Sequence, residues 1–288
     1  MAESTQILYD PNQFKEFGLE YYEGENFTIR YQYKEKYFWK SFYIPYGPNC
    51  TSLYGLDNFL KYILSKKPSR IRIDLPLVLD KKLEKEIQKK FLEKGFIQKA
   101  YIQDEETILI TPEKASLNNK EIRYYVRKSE NNYSFEVLNN LDESEINSIY
   151  EIYKESADRL GYTPKKIDVF HKLNENSLVG VAIDKESRSI HAFVWGYVYS
   201  LFSDFEKGET KKMLEVVFIG TNDISRKSYV GYGMHQKLFL TAFEEHGLDI
   251  INFRGASRTH DRKYLSFKKS FGGEFVNFAG SFEKINLI

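Results

Sequence analysis

The run Gly247-Leu248-Asp249-Ile250-Ile251-Asn252-Phe253-Arg254-Gly255-Ala256-Ser257, followed by Tyr264-Leu265-Ser266-Phe267-Lys268-Lys269-Ser270-Phe271-Gly272-Gly273-Glu274-Phe275, decides how this chain is read. A helix end at glycine leads into an apolar strand, a basic loop, a short helix, a double-glycine turn and a further strand, which is α/β grammar. Between Arg254 and Lys269 stand six Lys or Arg and one acid, Asp261. The loop follows a strand end, where α/β sheets bind ligands. Arginine's planar fork matches phosphate oxygens, which makes Arg254, Arg258 and Arg262 candidate phosphate ligands. On the short helix, Lys268 has the charge to offset a developing oxyanion while the Phe267 ring packs a ligand's end.

Outward from this run, the bulk properties set bounds. A chain of 288 residues is comfortable as two domains. Hydrophobic residues make up 42% and aromatics 16%, enough to fill real cores. The formal net charge of +1 does not call for nucleic acid, so any anion recognition is local. Cys50 is the single cysteine, which excludes an internal disulfide and argues against a structural zinc site, so no metal is expected. Met1 to Asp10 has neither a basic flank nor an apolar core of the signal-peptide kind, and no apolar run has the length of a membrane span. The expectation is a soluble cytoplasmic protein.

The first half opens with an alternating strand at Phe27–Tyr33 and its hairpin partner at Tyr37–Ile44. Leu53, Leu56, Leu60 and Ile63 recur at helical spacing. From Ser69 to Leu75, isoleucine and leucine alternate with Arg70, Arg72 and Asp74, which predicts a half-buried strand. Leu83, Ile87 and Phe91 mark a second helix closed by Gly95. Phe96–Tyr101 and Thr107–Ile110 read as a further hairpin. The polar stretch Pro112–Lys120 is the expected domain boundary, giving domains 1–118 and 119–288. Beyond it come a short helix at Ile122–Arg127 and a strand at Tyr133–Leu138. Asp142 and Glu145 then form a capping box for a helix that Gly161 stops. Strands are expected at Ser177–Ile183, Ile190–Leu201 and Met213–Gly220, the middle one apolar on both faces and therefore central. Gly231-Tyr232-Gly233 opens the helix Met234–His246. The order from Gly47 to Phe96 parallels that from Gly231 to Phe275, which suggests two similar α/β units; common α/β order gives the same pattern by coincidence.

Glycines before a helix let a backbone approach phosphate, and the free N–H groups of a helix start bind it, so Gly231 and Gly233 are candidate donor contacts. The stretch resembles the pyrophosphate loop of acyl-CoA-binding N-acetyltransferases, with Ser228 where such loops usually carry Gln or Arg. The five histidines are scattered without metal-ligand spacing; His235 and His260 flank the candidate loops, and a structural role suits each.

The segment Leu248–Phe275 resembles the C-terminal region of the FemAB family, aminoacyltransferases that build the interpeptide bridges of bacterial cell-wall precursors. The resemblance rests on a strand ending in Arg-Gly and on Phe267-Lys268 followed by Phe271-Gly272-Gly273. Tyr46-Gly47-Pro48, Ile71–Asp74, Gly95-Phe96 and Glu106–Ile110 follow in the family's order, so the likeness spans nearly the whole chain. It implies two tandem domains of the N-acetyltransferase (GNAT) kind, each a mixed twisted sheet flanked by helices. It implies that Lys268 lies near the reacting ester and Phe267 near the donor's end. Glu106 stands where the family has an acid, usually aspartate, before a Thr-containing strand.

The resulting expectation is amide formation: an aminoacyl or acyl group passes to an amine of a cell-wall precursor or a similar nucleotide- or lipid-linked acceptor. Lys268 and Glu106 are the candidate catalytic residues. No tightly bound cofactor is expected; the donor is aminoacyl-tRNA or acyl-CoA, and the sequence leaves both open. Peripheral membrane contact is compatible with a lipid-linked acceptor. A small-molecule or nucleotide-sugar N-acyltransferase using acyl-CoA, and a non-catalytic nucleotide- or RNA-binding module on the same fold, are the competing readings.

Overall fold

The computed structural model describes residues 20–45, 47–50, 52–100, 106–204, 209–254 and 262–286. They form two seven-stranded sheets. The first contains β1 (Glu20–Gly24), β2 (Phe27–Lys36), β3 (Trp39–Ile44), β4 (Asn49–Cys50), β5 (Arg70–Asp74), β6 (Ile97–Lys99) and β14 (Ser281–Ile285). Its order is β1-β2-β3-β5-β14-β6, with β4 pairing β2. Here β3 and β5 are parallel, while β14 is antiparallel to both β5 and β6. Helices α1 (Leu53–Ser65) and α2 (Lys81–Glu93) lie between these strands in sequence.

The second sheet holds β7 (Glu106–Ile110), β8 (Tyr133–Leu138), β9 (Ser177–Asp184), β10 (Ile190–Asp204), β11 (Glu209–Thr221), β12 (Ile250–Asn252) and β13 (Glu274–Asn277). Its order is β13-β7-β12-β11-β10-β9-β8. The accompanying helices are α3 (Lys120–Ser129), α4 (Glu143–Leu160), α5 (Asp168–Leu173), α6 (Val230–Leu240) and α7 (Arg262–Ser270). As expected, β10 is interior, and Phe193, Val194 and Trp195 on its two faces are buried.

Each sheet takes its next-to-last strand from the other end of the chain. In the first, β14 fills the place between β5 and β6; in the second, β7 fills the place between β12 and β13. The expected hairpin of residues 96–101 with 107–110 therefore does not form: β6 pairs β14 and β7 pairs β12. For the same reason the compact units do not divide at 118. One comprises Met1–Thr107, Ser200–Lys211 and Val276–Ile288, and the other Ile108–Tyr199 and Lys212–Phe275.

Local chemistry accounts for the helix ends. Ser52 accepts a bond from Gly55 N at the start of α1, and Leu56, Phe59, Leu60 and Ile63 form its buried stripe. Asp80 caps α2, and Gly95 follows it at φ +78°. Asp142 and Glu145 close the capping box of α4 with bonds of 2.8 and 2.9 Å, and Gly161 ends it at φ +74°. Each unit has its own core: Ile29, Phe42, Phe59, Ile71, Phe91 and Phe282 in the first, Ile110, Ile122, Val194, Leu214, Leu238 and Phe271 in the second.

β5 is not half-buried. Arg72 and Asp74 are 7% and 0% exposed, because β3 and β14 flank the strand and its polar face is covered. The pair compensates its own burial. The Arg72 Nε lies 3.5 Å from Asp74, and the Asp74 carboxylate also accepts bonds from the Tyr43 hydroxyl at 2.8 Å and Ser281 Oγ at 2.5 Å.

Candidate active site

In the second unit, β11 and β12 run parallel and pair only from Met213↔Ile250 to Glu215↔Asn252. β11 then continues to Thr221 while β12 ends, so the sheet forks just past Glu215. Four polar side chains meet there. Arg254 follows the strand with φ +47°, and its N–H donates to Asn252 Oδ1 at 3.0 Å. Its guanidinium Nε pairs with the Glu215 carboxylate, which is buried. The Lys268 ammonium, on α7, is 2% exposed and donates to the carbonyls of Phe253, at 2.8 Å, and Arg254. It also lies 5.1 Å from the centre of the Phe253 ring. A buried ammonium costs several kcal/mol in lost hydration; two carbonyls and a ring face offset part of that and fix α7 to the end of β12.

An aromatic cluster surrounds His235, whose ring feels this cation's charge. The His235 ring, on α6, stacks against Phe253 with centroids 5.2 Å apart and meets Phe267 edge-on at 5.2 Å. Phe239 and Phe271 complete the cage. His235 Nδ1 is 2.7 Å from the Gly231 carbonyl, so it carries the proton and donates it. That leaves Nε2 as a bare lone pair, buried without a hydrogen-bond partner among the described residues. Burial, and secondarily the Lys268 charge, push the imidazole pKa down to about 4 against the opposing bond to Gly231. His235 is therefore neutral near pH 7.

The candidates from sequence fare differently. Phe267, Lys268 and Gly231 come together: a Cβ placed on Gly231 would sit 3.5 Å from the Phe267 ring. Tyr232 meets Phe267 from another side at 5.0 Å. Gly231 and Gly233 do not form a turn before the helix; α6 begins at Val230, after Tyr229 at φ +59°, and both lie in its first turn. Gly233 answers to packing, since a Cβ there would meet the Phe135 ring of β8 at 2.2 Å. Arg254 is engaged by Glu215 rather than standing free for phosphate. Arg262 opens α7, but its side chain, like Arg258 and His260 altogether, lies outside the described residues. Glu106 opens β7 at 8% exposure and falls in the first compact unit, whereas Lys268 belongs to the second.

Sequence reading passed over Glu215 and Asn252. A signal existed for the first: Glu215 is the one acid within the apolar run Met213–Gly220, and a charge in a central strand needs a buried partner. Asn252, 3% exposed, looks like any strand end until Arg254 turns back onto it.

No protein-family model and no curated protein matches this sequence. Solved structures do. The chain is similar over 99% of its length to the crystal structure of FemX, covering 92% of that chain with a TM-score of 0.72 at 14% identity. It is similar over 96% to the C-terminal domain of a putative lysylphosphatidylglycerol synthetase from Agrobacterium fabrum, covering 87% of that chain with a TM-score of 0.67 at 13% identity. A tandem GNAT protein from the clavulanic acid biosynthesis pathway aligns over 90% of this chain and 78% of its own, with a TM-score of 0.52 at 4% identity. At these identities the likeness is one of fold. Two mixed sheets, each with a helix-linked parallel strand pair, thus give this chain the FemAB-like form of the tandem GNAT fold.

Proposed function

We propose that the protein is an acyltransferase that forms an amide by passing an aminoacyl group to the amine of a nucleotide- or lipid-linked acceptor. The observation that carries this reading is the buried Lys268 ammonium beside the fork of β11 and β12. The amine nitrogen attacks the donor's ester carbonyl, negative charge gathers on the carbonyl oxygen, and collapse expels the ester oxygen, which takes the proton the amine gives up. A fixed cation in a water-poor surround lowers the free energy of that oxyanion without reorganising at the moment of reaction. The rings of Phe267 and Tyr232 give the donor's end an apolar wall. In this reading Arg258 and Arg262 supply positive charge to phosphates. The sequence's resemblance to the FemAB family supports an acceptor of cell-wall kind, and the fold shared with a putative lysylphosphatidylglycerol synthetase one of phospholipid kind.

An aminoacyl ester is favoured over acyl-CoA by the packing of α6. A pyrophosphate loop needs glycines open to the ligand, and Gly233 is instead filled by Phe135. The deciding experiment offers labelled aminoacyl-tRNA, and separately labelled acetyl-CoA, with UDP-linked peptidoglycan precursors and phosphatidylglycerol. Transfer from the tRNA should fall by roughly 100-fold or more in Lys268→Met, the scale of a lost oxyanion contact. Undiminished turnover in a folded Lys268→Met protein overturns the assignment. Transfer from acetyl-CoA alone moves the donor to acyl-CoA, and absence of any transfer favours a binding module.

A further inference from the structure

The tip of the β2–β3 hairpin carries three aromatic side chains in a row, Tyr37, Phe38 and Trp39, at 86%, 77% and 41% exposure. In the β2–β3 register, Lys36 pairs with Trp39, so Tyr37 and Phe38 are the two turn residues. Tyr37 sits at φ +58°, while Phe38 is not among the residues of positive φ. A two-residue hairpin turn of that kind favours glycine first and a small polar residue second. Two large aromatics there work against turn propensity and against solubility. At about 200 Å² for each side chain the three expose about 400 Å² of aromatic surface, a patch of the size that marks an interaction site.

The tip is rigidly mounted. Ser69 N donates to Lys40 O at 2.8 Å, and Lys40 N donates to Ser69 Oγ at 3.1 Å, which fastens the tip end of β3 to the segment before β5. That segment follows the exposed Lys66 and Lys67, and the hairpin itself carries Lys34, Lys36 and Lys40, with the Lys36 ammonium 5.9 Å from the centre of the Tyr37 ring. The acid among them, Glu35, is engaged by the Tyr33 hydroxyl and by Lys40. Exposed aromatics ringed by lysines are complementary to one kind of partner surface. Tyr and Trp settle at the headgroup level of a bilayer, and lysines beside them are drawn to anionic lipid.

We propose that this hairpin tip docks the protein onto an anionic membrane surface, with Tyr37, Phe38 and Trp39 in the interfacial layer and the lysine ring against the headgroups. Among the described residues no helix is long and apolar enough to cross a membrane. The inference rests on the first unit alone and is independent of the transfer chemistry.

The chain supplies its own reporter. It has two tryptophans, and Trp195 is fully buried in the other unit, so a spectral change on vesicle binding comes from Trp39. The test mixes full-length protein with vesicles of phosphatidylcholine containing phosphatidylglycerol, and with phosphatidylcholine vesicles alone. Expected are co-sedimentation and a blue-shifted Trp39 emission quenched by brominated lipid, with anionic vesicles only and weakened by salt. Tyr37→Gly/Phe38→Ser, which suits the turn better than the native pair and so keeps the hairpin, should lower vesicle partitioning on the order of tenfold or more. Absence of binding overturns the proposal, as does unchanged binding by the double variant or equal binding to uncharged vesicles. A concentration-dependent Trp39 shift without vesicles also overturns it, and assigns the tip to a second copy of the chain.

Discussion

His235 offers the sharpest test of how the candidate site is built. Its ring is caged by Phe239, Phe253, Phe267 and Phe271, Nδ1 is bonded to the Gly231 carbonyl, and Lys268 lies beside it. The imidazole pKa falls from 6.5 to about 4 on folding. The unfolded chain therefore takes up the proton first. The stability gained from the neutral ring is fully present above about pH 6.5 and drains away as pH drops towards about 4, roughly 3 kcal/mol in all. Between about pH 7.5 and about pH 5 the loss is ~2 kcal/mol. His235→Phe should fill the same aromatic cage but give up the bond to Gly231, costing ~1 kcal/mol at every pH. The two stability curves should then cross: wild type is more stable by ~1 kcal/mol near neutral pH and less stable by ~1 kcal/mol near pH 5. Urea unfolding in a Trp39→Phe background reads this unit directly, because Trp195 remains as its single buried indole. Parallel curves would refute the reasoning: the ring would then be hydrated or the lysine uncharged, and the electrostatic picture of the fork would fail with it.

Other consequences follow from packing and charge. Asp74→Ala strands the buried Arg72 without its carboxylate and should cost ~3–5 kcal/mol by urea denaturation. The double variant Arg72→Leu/Asp74→Leu should recover most of that loss. Gly233→Ala drives a methyl into the Phe135 ring and should destabilise by ~2 kcal/mol despite alanine's better helix propensity. Phe135→Leu should rescue it, which a role for Gly233 in ligand approach does not predict. Asp142→Ala should lower stability by ~1 kcal/mol through loss of the α4 cap.

Much of the local structure was legible because local chemistry decides it. The capping box at Asp142 and Glu145, the glycine stops at Gly95 and Gly161, and the stripe of Leu56, Leu60 and Ile63 are short-range statements, and the structure bears them out. The interior place of β10 was readable from its two apolar faces. The hairpin of 96–101 with 107–110 failed because antiparallel neighbours in sequence are a default, and here a partner from residues 281–285 displaces it. The half-buried reading of β5 failed because alternation marks a polar face but not whether that face is covered.

What the sequence determined by itself is part of the inventory: the strongly periodic helices and strands, the capping-box and glycine stops, and that Phe267 and Lys268 share a short helix near a strand end rich in charge. Only the tertiary structure decided the partners. Exchange of β7 and β14 between the two sheets depends on edges more than a hundred residues apart meeting in register, and no local propensity encodes that. The environment of Lys268 has the same origin. A lysine on a short helix is ordinarily solvated; this one is buried, bonded to the carbonyls of Phe253 and Arg254 past the end of β12 and set over the Phe253 ring, against which His235 of α6 stacks.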